Sequence, residues 1–330
     1  MTTEKLNTRD SEINRKRYLS IDVFKGLSVV LMVFANAVAI YENVPAWSKH
    51  AVDYGLTYVD IVAPFFVFML ALNFNVSYAK RLKAYGRKKT YLRFIRRYII
   101  FIILGFFLTL GYESGRIYLQ WGTFQVLGLS GLMLLPLIEL KSYIRLLIAI
   151  ILMIIHQIIL LTSLQILIYD AIEGGLFGAL SWGSMMILSS VLADGLKKNK
   201  IDAYFLVGGI FCSVLGIITS FFWKISRAYI SLPYILICVG IGSLVYYFLY
   251  NIFEKWGASF KFSQRDNIFS LIGRNAFFLY LIDVLITYPI YMILPSDISW
   301  LFILTIGFLV ILFIGIIAYF MNKVEMYIII

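Results

Sequence analysis

Residues 18–36 read YLSIDVFKGLSVVLMVFAN, and this stretch decides the fold class. A charged pair, Asp22 and Lys25, opens an apolar run of membrane-helix length that ends on Asn36. A polar loop follows and carries His50, one of 2 histidines in 330 residues. Asp60 then begins a second apolar run that continues through Phe68. Acidic, basic, amide and imidazole groups thus flank the first two apolar runs. Such groups are costly in or beside hydrocarbon, so their concentration invites a functional reading.

Composition extends this to the whole chain. Hydrophobic residues make up 61%, charged residues 14%, and mean hydropathy is +0.87. Soluble domains carry about a quarter charged residues. The expectation is an all-α, polytopic transmembrane helical bundle. A membrane barrel needs short alternating segments, and these are absent. Ten spans are expected, at about 21–41, 57–79, 94–112, 121–139, 143–163, 175–194, 202–223, 229–251, 268–294 and 299–322. Apolar residues continue over 164–169, where an eleventh, re-entrant piece has room. The first apolar run is too long for the core of a cleavable signal. Residues 1–17 are read as a polar cytoplasmic segment and 18–330 as one transmembrane domain, without internal repeat.

The formal charge of +11 is unevenly placed. Lys80, Arg81, Lys83, Arg87, Lys88, Lys89 and Arg93 crowd the connection between the second and third spans. Lys141, Arg145, Lys197, Lys198, Lys200, Lys255, Lys261 and Arg265 fall in other loops on that side. Opposite loops hold only Lys49, Arg116, Lys224 and Arg227. The positive-inside rule then puts both termini in the cytoplasm and His50 outside, in a multi-pass protein of the cell membrane. The basic residues face an anionic bilayer surface, and no nucleic-acid motif is present. Cys212 and Cys238 lie within spans, so neither a disulfide nor a zinc site is expected, and no metal.

At about 100° per residue, Asp22, Lys25 and Asn36 share one stripe of the first helix. The stripe covers about 21 Å of rise. An ion pair and an amide joining neighbouring helices would explain it structurally. His50 reads either as a surface residue of its loop or as a general base. Asp60 reads either as a helix cap or as the carboxylate that orients an imidazole. His156 with Gln157, inside the fifth span, reads as an interhelical hydrogen-bonding pair. Tyr112, Glu113 and Arg116 lie on the outer side, as a solvated loop or as contacts for a polar acceptor.

These residues resemble the opening of the heparan-α-glucosaminide N-acetyltransferase family of transmembrane enzymes. The resemblance rests on Arg17, Ser20, Asp22, Phe24, Lys25 and Gly26, then Met32, Val33 and Asn36, then Lys49 and His50. Gly55, Leu56, Thr57, Asp60, Pro64, Phe66 and Phe68 complete the block, with the family's ten-residue step from His50 to Asp60. Shorter echoes follow at Gly122, Gln125, Leu127 and Gly128, at Glu173, Gly174, Leu176 and Gly178, and at Gly273, Asn275 and Tyr280. Two departures stand out: Val126 replaces an arginine of the family pattern, and Asp283 stands where the family often has histidine.

The resemblance implies transfer of an acetyl group from cytosolic acetyl-CoA to an amino sugar outside. His50 would deprotonate the amine or briefly carry the acetyl group, Asp60 would orient His50, and Asn36 would donate to the developing oxyanion. Asp22, Gln125 and Asn275 would join the donor side. A physical argument adds Lys25, Arg93, Arg96, Arg97 and Arg274, cations at inner helix ends that suit the phosphates of CoA. Lys25 and Asn36 stand about 16 Å apart along the axis, a span comparable to an extended pantetheine arm. A transporter of a polar or anionic solute, and an O-acyltransferase of surface polysaccharide, are the alternatives. Small residues in the spans also allow a homo-oligomer. The orientation has a direct check. A cysteine at position 48 should react with an impermeant thiol reagent in intact cells, and a cysteine at position 87 only after permeabilisation; the opposite pattern reverses the topology.

Overall fold

Apolar residues without proline run from Leu19 to Val38, and they form α1 (Leu19–Val38). The structure is a computed structural model and describes residues 17–113, 116–256 and 266–328. The polar segment 1–16, Lys261 and Arg265, and the side chains of Tyr112, Glu113 and Arg116 lie outside that description.

The second apolar run opens α2 (Tyr58–Leu108), 51 residues that reverse at Gly86. Gly86 has φ 75° and ψ 171°, a region open essentially to glycine alone. Phe74 packs on both Phe94 and Tyr98, at ring separations of 4.4 and 5.8 Å, and Tyr78 packs on Tyr91 at 6.1 Å. Those contacts require the two arms to run antiparallel, so α2 covers the segments expected at 57–79 and 94–112. The chain then forms a two-stranded antiparallel hairpin, β1 (Leu110–Glu113) and β2 (Arg116–Leu119), where the all-α expectation carried the third span on to 112 and then a loop. Its base is closed by Gln125, whose amide donates to Thr109 Oγ1 and to the Gln120 carbonyl.

The remaining helices are α3 (Thr123–Leu134), α4 (Ser142–Ile159), a short α5 (Gln165–Tyr169), α6 (Gly175–Lys198) and α7 (Gly208–Ser220). They are followed by α8 (Leu232–Tyr250), α9 (Ile268–Arg274), α10 (Ala276–Ile293) and α11 (Trp300–Lys323). Wide π turns precede α7 at Asp202–Val207 and extend α8 over Asn251–Lys255. Among the described residues, eight helical segments are long and apolar enough to cross a membrane, the two-armed α2 counting as one, and Thr123–Leu137 is a shorter apolar segment. The apolar tract at 164–169 is the five-residue α5. The expected span 268–294 is in fact two helices, because Asn275 leaves helical geometry at φ −114° and ψ 24°.

The first arm of α2 and α6 lie deep in the bundle, while α4, α7, α10 and α11 leave most of their apolar surface exposed. That outer surface is what lipid would cover. Within the bundle Phe24 of α1 packs on Phe65, Phe68 and Tyr246. A buried ion pair, Arg145 with Asp194, ties α4 to α6, and Asn75 joins it from α2 through the Ser190 carbonyl. Of the pair expected to bond between helices, Gln157 accepts from the Leu232 amide at 3.1 Å, but His156 is buried with its Nε2 unpartnered among the described residues. Cys212 and Cys238 are free and buried.

The tightest backbone approach joins α1 to α9. A Cβ on Gly26 would lie 1.9 Å from the Phe269 carbonyl oxygen, and one on Gly273 would lie 1.8 Å from that of Asp22. Overpacking a core costs about 1–3 kcal/mol even where side chains can yield, and here the obstacle is backbone. Gly26→Ala and Gly273→Ala should each lower the thermal midpoint in detergent markedly, whereas Gly86→Ala, with nothing near its Cβ position, should show only the smaller cost of its strained φ.

Candidate active site

At one end of the bundle the loop before α2 carries His50. Its Nδ1 lies 2.8 Å from Asp60 Oδ1. Asp60 is wholly buried, while the His50 side chain is 48% exposed. The second oxygen of Asp60 accepts from the Thr57 and Ala51 amides at 2.9 and 3.2 Å, and from Thr57 Oγ1 at 3.0 Å. Capping and orienting are therefore not alternatives: one oxygen caps the helix while the other holds the imidazole. A carboxylate on Nδ1 fixes the proton there and leaves Nε2 with a free lone pair. That nitrogen is equipped to accept a proton or to attack an electrophile.

Neighbouring loops hold the His50 loop in place. The Gly55 amide donates to the Ile225 carbonyl, and Tyr169 of α5 donates to Asp53. Tyr229 stacks on Tyr54 and on Tyr169. Beneath them Arg227 pairs with buried Glu173, whose Oε1 also lies 3.4 Å from Thr123 Oγ1. Burial opposes the charge of Arg227, but Glu173 and the nearby Asp60 raise its pKa above the ordinary value. Glu173 was visible in the sequence only within a short glycine-rich echo; its arginine partner, 54 residues away, was not.

Asn36 Nδ2 donates to Asp283 Oδ2 at 2.7 Å, across from α1 to α10. Asp283 is fully buried, and its other oxygen has no partner among the described residues. The position noted as a departure from the family pattern is thus the anchor of the Asn36 amide. No hydrogen bond joins this pair to His50 and Asp60 among the described residues.

A cavity of about 730 Å³ opens at the opposite end, within the usual size of small-molecule sites. Arg17, Lys25, Arg81, Arg97 and Arg274 line it together with Asp22. Phe66, Leu127, Phe277 and Tyr280 line it as well, and Thr123 brings its wall to within a hydrogen bond of Glu173. Asp22 pairs with both Lys25 and Arg17, and Asp266 bridges Arg17 and Arg274, so three cations share two carboxylates. Partial burial pushes the Asp266 carboxyl up, yet the two arginines hold it below the usual carboxylate range. Arg81 and Arg97 have no carboxylate partner among the described residues, and Arg97 Nε is buried without an acceptor.

Of the expected donor residues, Asp22, Lys25, Arg97 and Arg274 come together at this cavity. Arg93 and Arg96 do not line it; both are exposed, and Arg93 sits 3.7 Å from the Tyr85 ring. Gln125 closes the hairpin through its NH2 group, with its Oε1 buried and unpartnered among the described residues, and Asn275 binds the backbone near residue 327 with both ends of its amide. Arg17 and Arg81 were not among the expected donor residues. Arg81 was hidden among seven basic residues of one connection, and only the fold-back at Gly86 sets it beside Arg97.

The chain thus combines helices of membrane length, a cationic cavity and an imidazole held by a buried carboxylate. No protein-family model matches the chain. Over 71 residues it is 42% identical to the heparan-alpha-glucosaminide N-acetyltransferase of Mus musculus, a match that covers 21% of this chain and 10% of the mouse protein. The similarity supports a distant, acyltransferase-like relationship and an integral membrane protein. Asp60→Ala should free the His50 ring and uncap α2. Hydrogen exchange over residues 50–60 should then speed up while α6 and α8 keep their protection; unchanged exchange in the loop would show that Asp60 does not hold it.

Proposed function

We propose that the protein is a transmembrane acetyltransferase that takes acetyl-CoA from the basic side of the bundle and acetylates an amino sugar on the His50 side. The observation that carries the reading is the pair of guanidinium groups, Arg81 and Arg97, without a carboxylate counter-ion among the described residues, in a cavity whose interior is apolar. Unpaired cations in such a place call for an anion, and the phosphates of CoA supply one. The apolar interior suits the pantetheine arm. The partial similarity to a membrane N-acetyltransferase supports the same chemistry.

In this reading the acceptor amine attacks the acetyl carbonyl carbon, and the carbon–sulfur bond breaks. His50 Nε2 takes the amine proton, and the sulfur leaves with a proton as the CoA thiol. An amide and free CoA are the products, so atoms and charge balance. Asp60 stabilises the imidazolium while it lasts. Asn36 uses one amide hydrogen on Asp283 and offers the other to the oxyanion. Asp283 acts as a positioning residue, because it fixes which way that amide points.

Purified protein with acetyl-CoA and glucosamine tests the proposal. N-acetylglucosamine should form. His50→Ala should abolish transfer with acetyl-CoA affinity kept within a few-fold. Asn36→Ala should lower kcat by about 10²-fold or more. Asp283→Ala should lower kcat in the same direction with little change in KM. Charge reversal at Arg81 and Arg97 should weaken acetyl-CoA binding, more at low salt than at high salt. Undiminished transfer by a folded His50→Ala protein would sink the assignment.

A further inference from the structure

The cavity is walled on one side by chain that follows the last helix. After Lys323 the backbone turns back at Glu325, which takes the left-handed conformation at φ 54°. The Met326 amide returns to the Met321 carbonyl at 2.9 Å, the six-to-one bond that ends many helices. A non-glycine residue in this conformation is strained, so something must hold the strap that follows. Asn275 does so. It is 1% exposed, its Nδ2 donates to the Met326 carbonyl at 3.2 Å, and its Oδ1 accepts from the Ile328 amide at 2.9 Å. One buried amide thus grips the backbone on both sides of Tyr327.

That grip presents Tyr327 to the cavity, which Tyr327 and Ile328 both line. The phenol oxygen lies 3.0 Å from Arg274 Nη1, and the guanidinium carbon lies 5.6 Å from the ring centroid. Arg274 is one of the cavity's cations. The other cavity aromatic beside a cation is Phe101, 5.6 Å from Arg97. Phe101 is 3% exposed and already stacked on Phe277 at 5.1 Å, whereas Tyr327 is 40% exposed. Among the described residues Tyr327 is therefore the aromatic surface that remains accessible next to the cations.

We propose that Tyr327 is the platform on which the purine base of the donor nucleotide stacks, and that Asn275 is the residue that positions it. The inference rests on the donor reading above and adds the recognition of the nucleotide's base. A base sits within a few bonds of its own phosphates, so a site that takes both needs cations and an open π face side by side. Arg274 and Tyr327 supply that pairing. Stacking is tolerant of side-chain identity but needs a ring.

Calorimetric titration of the full chain in detergent tests the inference with three ligands: CoA, adenosine 3′,5′-bisphosphate and 4′-phosphopantetheine. Tyr327→Ala should weaken CoA and the bisphosphate about ten-fold or more, and leave 4′-phosphopantetheine unchanged. Tyr327→Trp should keep wild-type affinity. Asn275→Ala should reproduce the Tyr327→Ala pattern although the ring is still present, a result that loss of a cavity contact alone would not produce. Wild-type CoA affinity in Tyr327→Ala overturns the inference while leaving the donor reading intact. Equal weakening of all three ligands also overturns it, because the ring would then shape the cavity rather than read the base. A wild-type protein that binds none of the three overturns both.

Discussion

An ionised side chain carried into a helical membrane bundle must find its counter-charge inside the protein, because hydrocarbon offers none. This chain meets that constraint pair by pair. Lys25 and Arg17 meet Asp22, Arg145 meets Asp194, and Arg227 meets Glu173. Each pair also fixes a contact between segments. The Arg145 pair joins α4 to α6, and the Glu173 pair joins the turn before α6 to the loop before α8. Arg81 and Arg97 are the cavity cations that the fold leaves without a carboxylate among the described residues, and that exception gives the cavity its chemical meaning.

Close packing of α1 on α9 sets the geometry around these charges. Gly26 and Gly273 bring the two backbones together at the level of Asp22 and Lys25. The same contact holds α9, and with it Arg274, at the cavity wall. Asn275 interrupts the helix so that α10 can follow at a new angle, with Tyr280 on the cavity wall and Asp283 bonded to Asn36. One helix thus runs from the cationic cavity to the Asn36 amide.

The two ends of the bundle are held by different means. The cavity end relies on ion pairs, among them Arg17–Asp266 across the length of the chain, and on the strap at Tyr327. The His50 end relies on backbone hydrogen bonds, a capped helix terminus and stacked tyrosines. Asp60 serves there twice, as cap and as partner of the imidazole, because a carboxylate has two oxygens and the helix end uses only one. Thr123 and Glu173 stand between the ends, at the wall where the cavity comes nearest to the Arg227 loop.

Local chemistry was legible in the sequence, and long-range geometry was not. Apolar run length gave the helical membrane class, since bilayer thickness dictates it. The pairing of His50 with Asp60 was implied by the family resemblance; their spacing alone left His50 as a surface residue or a base and Asp60 as a cap or an orienting carboxylate. Asp22 and Lys25 were readable as a pair from their spacing of three on one helix face. The split of 268–294 at Asn275 was missed because apolar character continues across it, and the hairpin at Leu110–Leu119 was missed because its strands are too short to show alternation. Only the tertiary structure could single out Arg81 from its basic neighbours, pair Asn36 with Asp283 across 247 residues, and set Asn275 to clamping a strap rather than lining a site. Composition and helical period decide what each segment is, because solvent and backbone geometry act locally; which side chains meet depends on how the helices pack, and that is settled by every contact at once.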